Sequence, residues 1–198
     1  MISANIFDVK RFAINDGDGI RTVLFIKGCP LRCKWCQNPE GIFPDIRIWY
    51  AKSMCVGCKA CVAACKANAI GWDEKGARID QDRCTRCGKC TVACPTGAIR
   101  FDGKEMSAEE ALHEIGKDRA FYGKDGGVTL SGGECMASPE FSLAVLKGCR
   151  ERGIGTSIET SLHAKPETVD AFAEVTDRII ADIKLIDPAR HKAATGAD

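Results

Sequence analysis

Thirteen cysteines in 198 residues set the chemistry available to this chain. Eleven fall into three tight runs, within 29–36, 55–65 and 84–94, while Cys135 and Cys149 stand apart. Thiols spaced three or four residues apart act as soft metal ligands when they are kept reduced. A secreted disulfide scaffold is the competing reading of so much cysteine. It is disfavoured because the N-terminus, Met1-Ile2-Ser3-Ala4-Asn5-Ile6-Phe7-Asp8, has no basic region followed by an apolar stretch, so no signal peptide is expected. No run approaches the ~18 apolar residues of a membrane span. A cytoplasmic protein with no membrane partner is expected. Cys135 and Cys149 are expected to be buried free thiols.

The second and third runs are copies of each other. Cys55-x2-Cys58-x2-Cys61-x3-Cys65 recurs as Cys84-x2-Cys87-x2-Cys90-x3-Cys94, a shift of 29 residues that also carries Ala69-Ile70 onto Ala98-Ile99. Steps of this length let one loop wrap three corners of an iron–sulfur cube. Paired zinc sites compete, but zinc sites rarely compress four cysteines into eleven residues, twice. The first run, Cys29-x3-Cys33-x2-Cys36, has no fourth cysteine nearby. Three thiolates on a four-iron cluster leave one iron open, and an open coordination position goes with chemistry rather than scaffolding. A zinc knob or three unrelated thiols is the bland alternative.

The elements that must position these runs follow from the apolar patterning. Residues 21–27, Arg-Thr-Val-Leu-Phe-Ile-Lys, read as a buried strand that delivers Gly28 and Cys29. From residue 127 strand and helix patterns alternate: strands at 127–131, 156–160 and 178–185, helices at 139–152 and 165–175. That alternation implies βαβ units and a parallel sheet. A further helix is expected over 104–121, with Ser107 as N-cap and Glu110 completing a capping box. Net charge is +1, from 28 basic and 27 acidic residues, which gives no reason to expect nucleic acid as partner.

Taken together, the motifs resemble a known family. Cys29-x3-Cys33-x2-Cys36 looks like the signature of radical S-adenosylmethionine enzymes. Asp16-Gly-Asp-Gly-Ile-Arg21, Lys27-Gly-Cys-Pro-Leu-Arg-Cys33 and Asn38-Pro39-Glu40 resemble the glycyl-radical-enzyme activating enzymes within that superfamily. The doubled run is similar to bacterial two-cluster ferredoxins, in which the fourth cysteine of each run ligates the other cluster. The resemblance therefore implies Cys55, Cys58, Cys61 and Cys94 on one 4Fe–4S cluster, and Cys84, Cys87, Cys90 and Cys65 on the other. Lys66 departs from the proline that often follows the fourth cysteine. The implied fold is α/β: a partial (β/α)6 barrel over 1–50 and 102–198, with a ferredoxin-like α+β insert at 51–101.

The same resemblance implies the site residues. Cys29, Cys33 and Cys36 would hold a third cluster, making three in all. Ser131-Gly132-Gly133-Glu134 looks like the motif that takes the amino group of S-adenosylmethionine. Asp182 and Lys184, on one face of a strand by period two, resemble the pair that handles its carboxylate. Glu159 and Thr160 resemble an acidic-Thr pair at a monovalent cation. Trp35 would pack against adenine or the cluster. Asp16 and Arg21 would lie near a glycyl peptide of the partner.

The implied activity is reductive cleavage of S-adenosylmethionine to methionine and a 5′-deoxyadenosyl radical, which then takes hydrogen from a backbone glycine of a partner glycyl-radical enzyme. A flavodoxin or ferredoxin would donate the electron, and a monomer is expected. A radical S-adenosylmethionine enzyme with another substrate, or a non-catalytic electron-transfer protein, are the rival readings. Length enters last. A full eight-stranded barrel takes about 250 residues, and even the implied six-stranded form calls for two βα units after the four strands counted here. A C-terminally truncated chain is therefore expected, with its fourth strand exposed.

Overall fold

The structure, a computed structural model, describes residues 2–197. In chain order the elements are β1 (Ser3–Ala13), β2 (Arg21–Ile26), β3 (Ile48–Tyr50), α1 (Ala60–Ala64), β4 (Ile70–Asp73), β5 (Gly76–Ile79), α2 (Lys89–Ala93), β6 (Ile99–Phe101), β7 (Lys104–Ser107), α3 (Ala108–Gly116), β8 (Gly127–Gly132), α4 (Pro139–Glu151), β9 (Gly155–Thr160), α5 (Pro166–Val175), β10 (Arg178–Ala181) and α6 (Pro188–Thr195). The chain divides into two units: one runs to Asp45 and resumes at Glu105, and the other is Ile46–Lys104.

The first unit is mixed α/β. Its sheet has six strands in the order β10-β9-β8-β2-β1-β7. β2, β8, β9 and β10 are mutually parallel, and β1 runs antiparallel to β2. Side chains alternate across a sheet, and here the two faces differ sharply. Leu24, Ile26, Val128, Leu130 and Ile158 form one face, fully buried against helices. On α4, Phe141, Val145, Leu146 and Cys149 recur at helical spacing and meet that face, joined by Phe172 of α5 and Ile115 of α3. The other face is set by the register Val23↔Thr129↔Ser157 and Phe25↔Ser131. It is mostly polar, and Glu159 belongs to it by alternation.

Two strands, β1 and β7, enlarge the sheet beyond the four expected. The segment expected to be helical over 104–121 starts instead as β7. Ser107 has extended dihedrals and caps α3 through a complete capping box, so the helix begins only at Ala108 and ends at Gly116. The box itself is as read: the Ser107 hydroxyl accepts from the Glu110 N–H at 3.2 Å, and the Ser107 N–H donates to Glu110 at 2.7 Å. The expected strand 178–185 ends at Ala181, with one further ladder bond from the Asp182 N–H to the Thr160 carbonyl. Among the described residues no strand flanks the outer side of β10, whose residues are largely exposed.

The second unit shows the repeat in three dimensions. α1 and α2 are five-residue helices, each preceded by a residue in the left-handed region, Lys59 (φ 58°) and Gly88 (φ 72°). Left-handed backbone recurs at Gly57 and Arg86, and at Asn68 and Gly97. Each of these pairs is separated by the same 29 residues as the cysteines. β3 pairs with β6 and β4 with β5, both antiparallel. One core joins Ile48, Ile70, Ala77 and Ile99 with cysteines from both runs.

Candidate functional site

The chain leaves β2 at Ile26 and turns through Gly28 into the first cysteine run. The run is anchored by backbone bonds: Gly28 N–H to the Gly41 carbonyl at 2.8 Å, and Cys29 N–H to the Ile42 carbonyl at 3.0 Å. Lys27 is almost wholly buried, and its Nζ donates to the Glu40 carbonyl at 2.5 Å. Further along, the Arg32 and Lys34 N–H groups donate to the Thr195 and Ala194 carbonyls at the C-terminus of α6, at 2.6 and 3.0 Å. The last carbonyls of a helix have no partner within it. The cysteine loop supplies partners here and is itself held in place.

A cavity of about 360 Å³ opens at this end of the sheet. Cys29, Cys33 and Cys36 line it together with Trp35, Ser131, Gly132, Gly133, Glu159, Thr160, Asp182 and Lys184. Residues separated by more than a hundred positions thus meet at the C-terminal ends of parallel strands, where open α/β sheets place their ligands. Leu31, Gln37, Asn38 and Ser161 also line it. These four were not singled out as site residues from the sequence, although Asn38 lies in the Asn-Pro-Glu run and Ser161 directly follows Thr160.

The wall beside the thiols carries both signs of charge. Lys184 Nζ lies 2.6 Å from the Asp182 carboxylate. Burial pushes the Lys184 ammonium down, but Asp182 and the thiols of Cys33 and Cys29 outweigh it and hold the ammonium up. Burial pushes the Cys29 and Cys33 thiols up, with Lys184 opposing this at Cys33. The Ser131 hydroxyl donates to Glu159 at 2.6 Å. Burial, then Asp16 and Asp182, raise the Glu159 carboxyl.

The strand-end glycines serve chain packing. A Cβ on Gly133 would sit 2.3 Å from the Gly41 carbonyl oxygen and 2.4 Å from that of Gly28. Both contacts are backbone and cannot yield, so only glycine lets β8 close against the cysteine loop. Glu134 is buried and is not in the cavity lining; its carboxylate is bonded to Thr160 and Ser161.

Asp16 and Arg21 are also outside this lining. Arg21 opens β2, opposite Gly127, at the far end of the strand from the cysteines. It is 3% exposed, and its guanidinium donates to Thr129 Oγ1 at 2.7 Å and to the carbonyls of Val128, Asp18, Asp125 and Gly155 at 2.6–3.3 Å. Asp16 accepts from Lys10 at 3.1 Å, and its carbonyl accepts from Thr129.

In the second unit the thiol neighbours cross between the repeats. The thiols bearing on Cys61 are those of Cys94 and Cys55. Those bearing on Cys90 are Cys84, Cys65 and Cys87. Backbone N–H groups point at the sulfurs: Gly57 at Cys55 and Arg86 at Cys84, both 3.4 Å, and Ala69 at Cys65, 3.3 Å. Burial alone would push the Cys94 thiol up, but the Ile99, Thr96 and Ala98 N–H groups and the Thr96 hydroxyl bring it down to about 7. Donors aimed at sulfur favour thiolate, the form that binds iron. Among the described residues, no three Cys, His, Asp or Glu side chains close around a single-ion position. Cys135 and Cys149 are buried.

Residues 54–98 match the 4Fe-4S dicluster domain family. Over nearly its whole length the chain is similar to many curated proteins, among them three activating enzymes. The (2S)-3-sulfopropanediol sulfolyase activating enzyme of Bilophila wadsworthia is 45% identical over 195 residues, covering 96% of this chain and 65% of that protein. The (2S)-3-sulfopropanediol dehydratase activating enzyme of Klebsiella oxytoca is 43% identical, covering 96% and 62%. The choline trimethylamine-lyase activating enzyme of Oleidesulfovibrio alaskensis is 42% identical, covering 98% and 64%. The chain thus spans a little under two-thirds of the length of these relatives. Among the described residues no helix is long and apolar enough to cross a membrane.

Proposed function

Across 96% of its length the chain is a homologue of the activating enzymes of glycyl-radical enzymes, and from that premise we propose that it binds and reductively cleaves S-adenosylmethionine to install a glycyl radical on a partner enzyme. The observation that carries this reading is the convergence of Cys29, Cys33 and Cys36 with Ser131–Gly133, Thr160, Asp182 and Lys184 on one cavity. Three thiolates fit a four-iron cluster with one open iron, and such a cluster, when bound, supplies the electron and the chelation point for the sulfonium substrate.

The chain's own residues divide the remaining work. Lys184, held charged beside Asp182, offers an ammonium to the substrate carboxylate. Ser131, Gly132 and Gly133 line the cavity, and their carbonyls would accept from the substrate amino group. Trp35, 48% exposed at the cavity edge, offers an aromatic face to adenine. Glu159, Asp182 and Thr160 would gather around a monovalent cation. That cation would offset the burial and the Asp16 and Asp182 charges that raise the Glu159 carboxyl.

The second unit supports two further 4Fe–4S clusters, on Cys55, Cys58, Cys61 and Cys94 and on Cys84, Cys87, Cys90 and Cys65. Support comes from the crossed thiol neighbours, the N–H donors on sulfur and the dicluster-domain match. They would relay an electron from a cytoplasmic flavodoxin or ferredoxin. The first unit's sheet fits part of a (β/α)6 barrel, with the polar face turned inward, and the enzyme would act as a monomer. Asp16 and Arg21 would act near the partner glycine, Arg21 by holding the strand ends in place rather than by contact.

The test adds a glycyl-radical enzyme to the anaerobically reconstituted chain with dithionite and S-adenosylmethionine. The partners named for the relatives, such as choline trimethylamine-lyase, are the first to try. A glycyl radical signal that requires the substrate is expected. Formation of 5′-deoxyadenosine without a radical on any partner would favour a different substrate.

A further inference from the structure

The Ser131-Gly-Gly-Glu134 run ends in a carboxylate that the cavity does not use. Glu134 is 3% exposed and accepts five hydrogen bonds, all from neutral groups. Oε1 takes Thr160 Oγ1 at 2.7 Å, the Met136 N–H at 3.2 Å and the Cys135 thiol at 3.5 Å. Oε2 takes the Ser161 N–H at 2.9 Å and the Ser161 hydroxyl at 2.7 Å. A carboxylate has about four lone-pair sites, so this one is saturated and has no place for an ammonium.

The three bonds from Thr160 and Ser161 do more than satisfy Glu134. A hydroxyl has one proton to give. Thr160 and Ser161 both give theirs to Glu134, which turns their lone pairs toward the chain that follows. Thr160 Oγ1 then accepts the Leu162 N–H at 2.9 Å, and Ser161 Oγ the His163 N–H at 3.4 Å. Leu162 sits at φ 57°, a left-handed conformation that a leucine keeps only when its surroundings hold it. Thr160 and Ser161 line the cavity, and Glu134 does not.

We propose that Glu134 is a positioning residue, whose carboxylate ties the end of β8 to the 160–163 turn and so fixes the β9 wall of the cavity. It rests on the reading of that cavity as an S-adenosylmethionine site. The substrate amino group would then be left to the backbone groups that line the cavity.

The test uses the full reconstituted chain as wild type, Glu134→Gln, Ser161→Ala and the double variant. Glutamine replaces one carboxylate oxygen with an NH2, which faces either the Ser161 N–H or the Met136 N–H and Thr160 hydroxyl, and so breaks one side of the tether without removing volume. Amide hydrogen exchange at Leu162, at His163 or at both is expected to rise at least about tenfold in Glu134→Gln, and at His163 in Ser161→Ala. S-adenosylmethionine affinity, read from its perturbation of the reduced cluster spectrum, should weaken in each single variant. The double variant should bind no more weakly than Glu134→Gln alone, because both substitutions cut one link. Unchanged exchange in Glu134→Gln, or losses that multiply in the double variant, would overturn the tether. If Glu134→Gln does not fold, Glu134→Asp decides the matter: the shortened carboxylate cannot reach both Thr160 and Ser161, whose oxygens stay in place, and exchange at Leu162 or His163 must rise. A wild type that does not respond to S-adenosylmethionine overturns the cofactor reading instead, and the exchange measurements still judge the tether.

Discussion

Ser131, near the end of β8, donates a 2.6 Å hydrogen bond to Glu159, near the end of β9, and this bond opposes the burial that raises the Glu159 carboxyl. Burial and the neighbouring carboxylates of Asp16 and Asp182, opposed by this bond, make the charge of Glu159 a stability term that depends on pH.

A carboxyl raised on folding contributes stability that is present below its unfolded pKa of about 4.3 and is lost as pH rises through the folded value. Glu159→Gln is therefore expected to raise the melting temperature at pH 8 in sodium- and potassium-free buffer, with the gain shrinking as pH falls toward about 4. Adding potassium should close the gap by stabilising the wild type alone. Thermal unfolding across a pH series checks both, and a gain independent of pH would contradict the assignment.

Gly133→Ala should be costly because the new Cβ meets the Gly41 and Gly28 carbonyls at 2.3 and 2.4 Å. Overpacking against a rigid neighbour costs about 1–3 kcal/mol. The loss should appear in urea unfolding and as poorer iron uptake by the first cysteine run. An alanine variant as stable as wild type would mean that the β8 end and the cysteine loop are not packed as described.

Arg21→Lys separates a scaffold role from contact with a partner. The guanidinium satisfies one hydroxyl and four carbonyls, and an ammonium cannot reach all of them. Each buried carbonyl left without a donor costs about 1–3 kcal/mol. A fall in stability of at least about 3 kcal/mol is expected in denaturant titration. Full stability with lost partner activation would instead place Arg21 at the peptide.

Crossed ligation in the second unit predicts a pattern of iron loss. Cys94→Ala should lose the same four irons as Cys55→Ala, and the double variant should lose no more. Cys65→Ala should pair in the same way with Cys84→Ala. Iron analysis with EPR of the reduced protein checks this, and loss that followed each run separately would contradict it.

The cysteine spacings were the most legible part of the chain, because ligand spacing is local and the repeat places left-handed residues at matching positions. The Ser107–Glu110 capping box was legible for the same reason. β1 was not anticipated. Its register shifts, between Ile6 and Asp8 and between Lys10 and Ala13, break the two-residue alternation that marks a strand. β7 was hidden because Lys104-Glu-Met-Ser107 runs directly into a helix that its last residue caps. Glu134 shows the limit at the site. A carboxylate after two glycines suggests an ammonium partner, and only the pairing of β8 with β9 brings Thr160 and Ser161, 26 and 27 residues on, to claim it. The fate of Arg21 likewise depends on carbonyls from Asp125, Val128 and Gly155, which become neighbours only in the folded sheet.

The most direct test of the account is product formation by the chain loaded with about twelve irons, three cubes of four. With dithionite and S-adenosylmethionine it should release 5′-deoxyadenosine and methionine in equal amounts. Cys33→Ala should abolish both products while about eight irons stay in the second unit. A fully loaded chain that forms no 5′-deoxyadenosine, or a Cys33→Ala variant that still does, would contradict the assignment of Cys29, Cys33 and Cys36 to the reacting cluster.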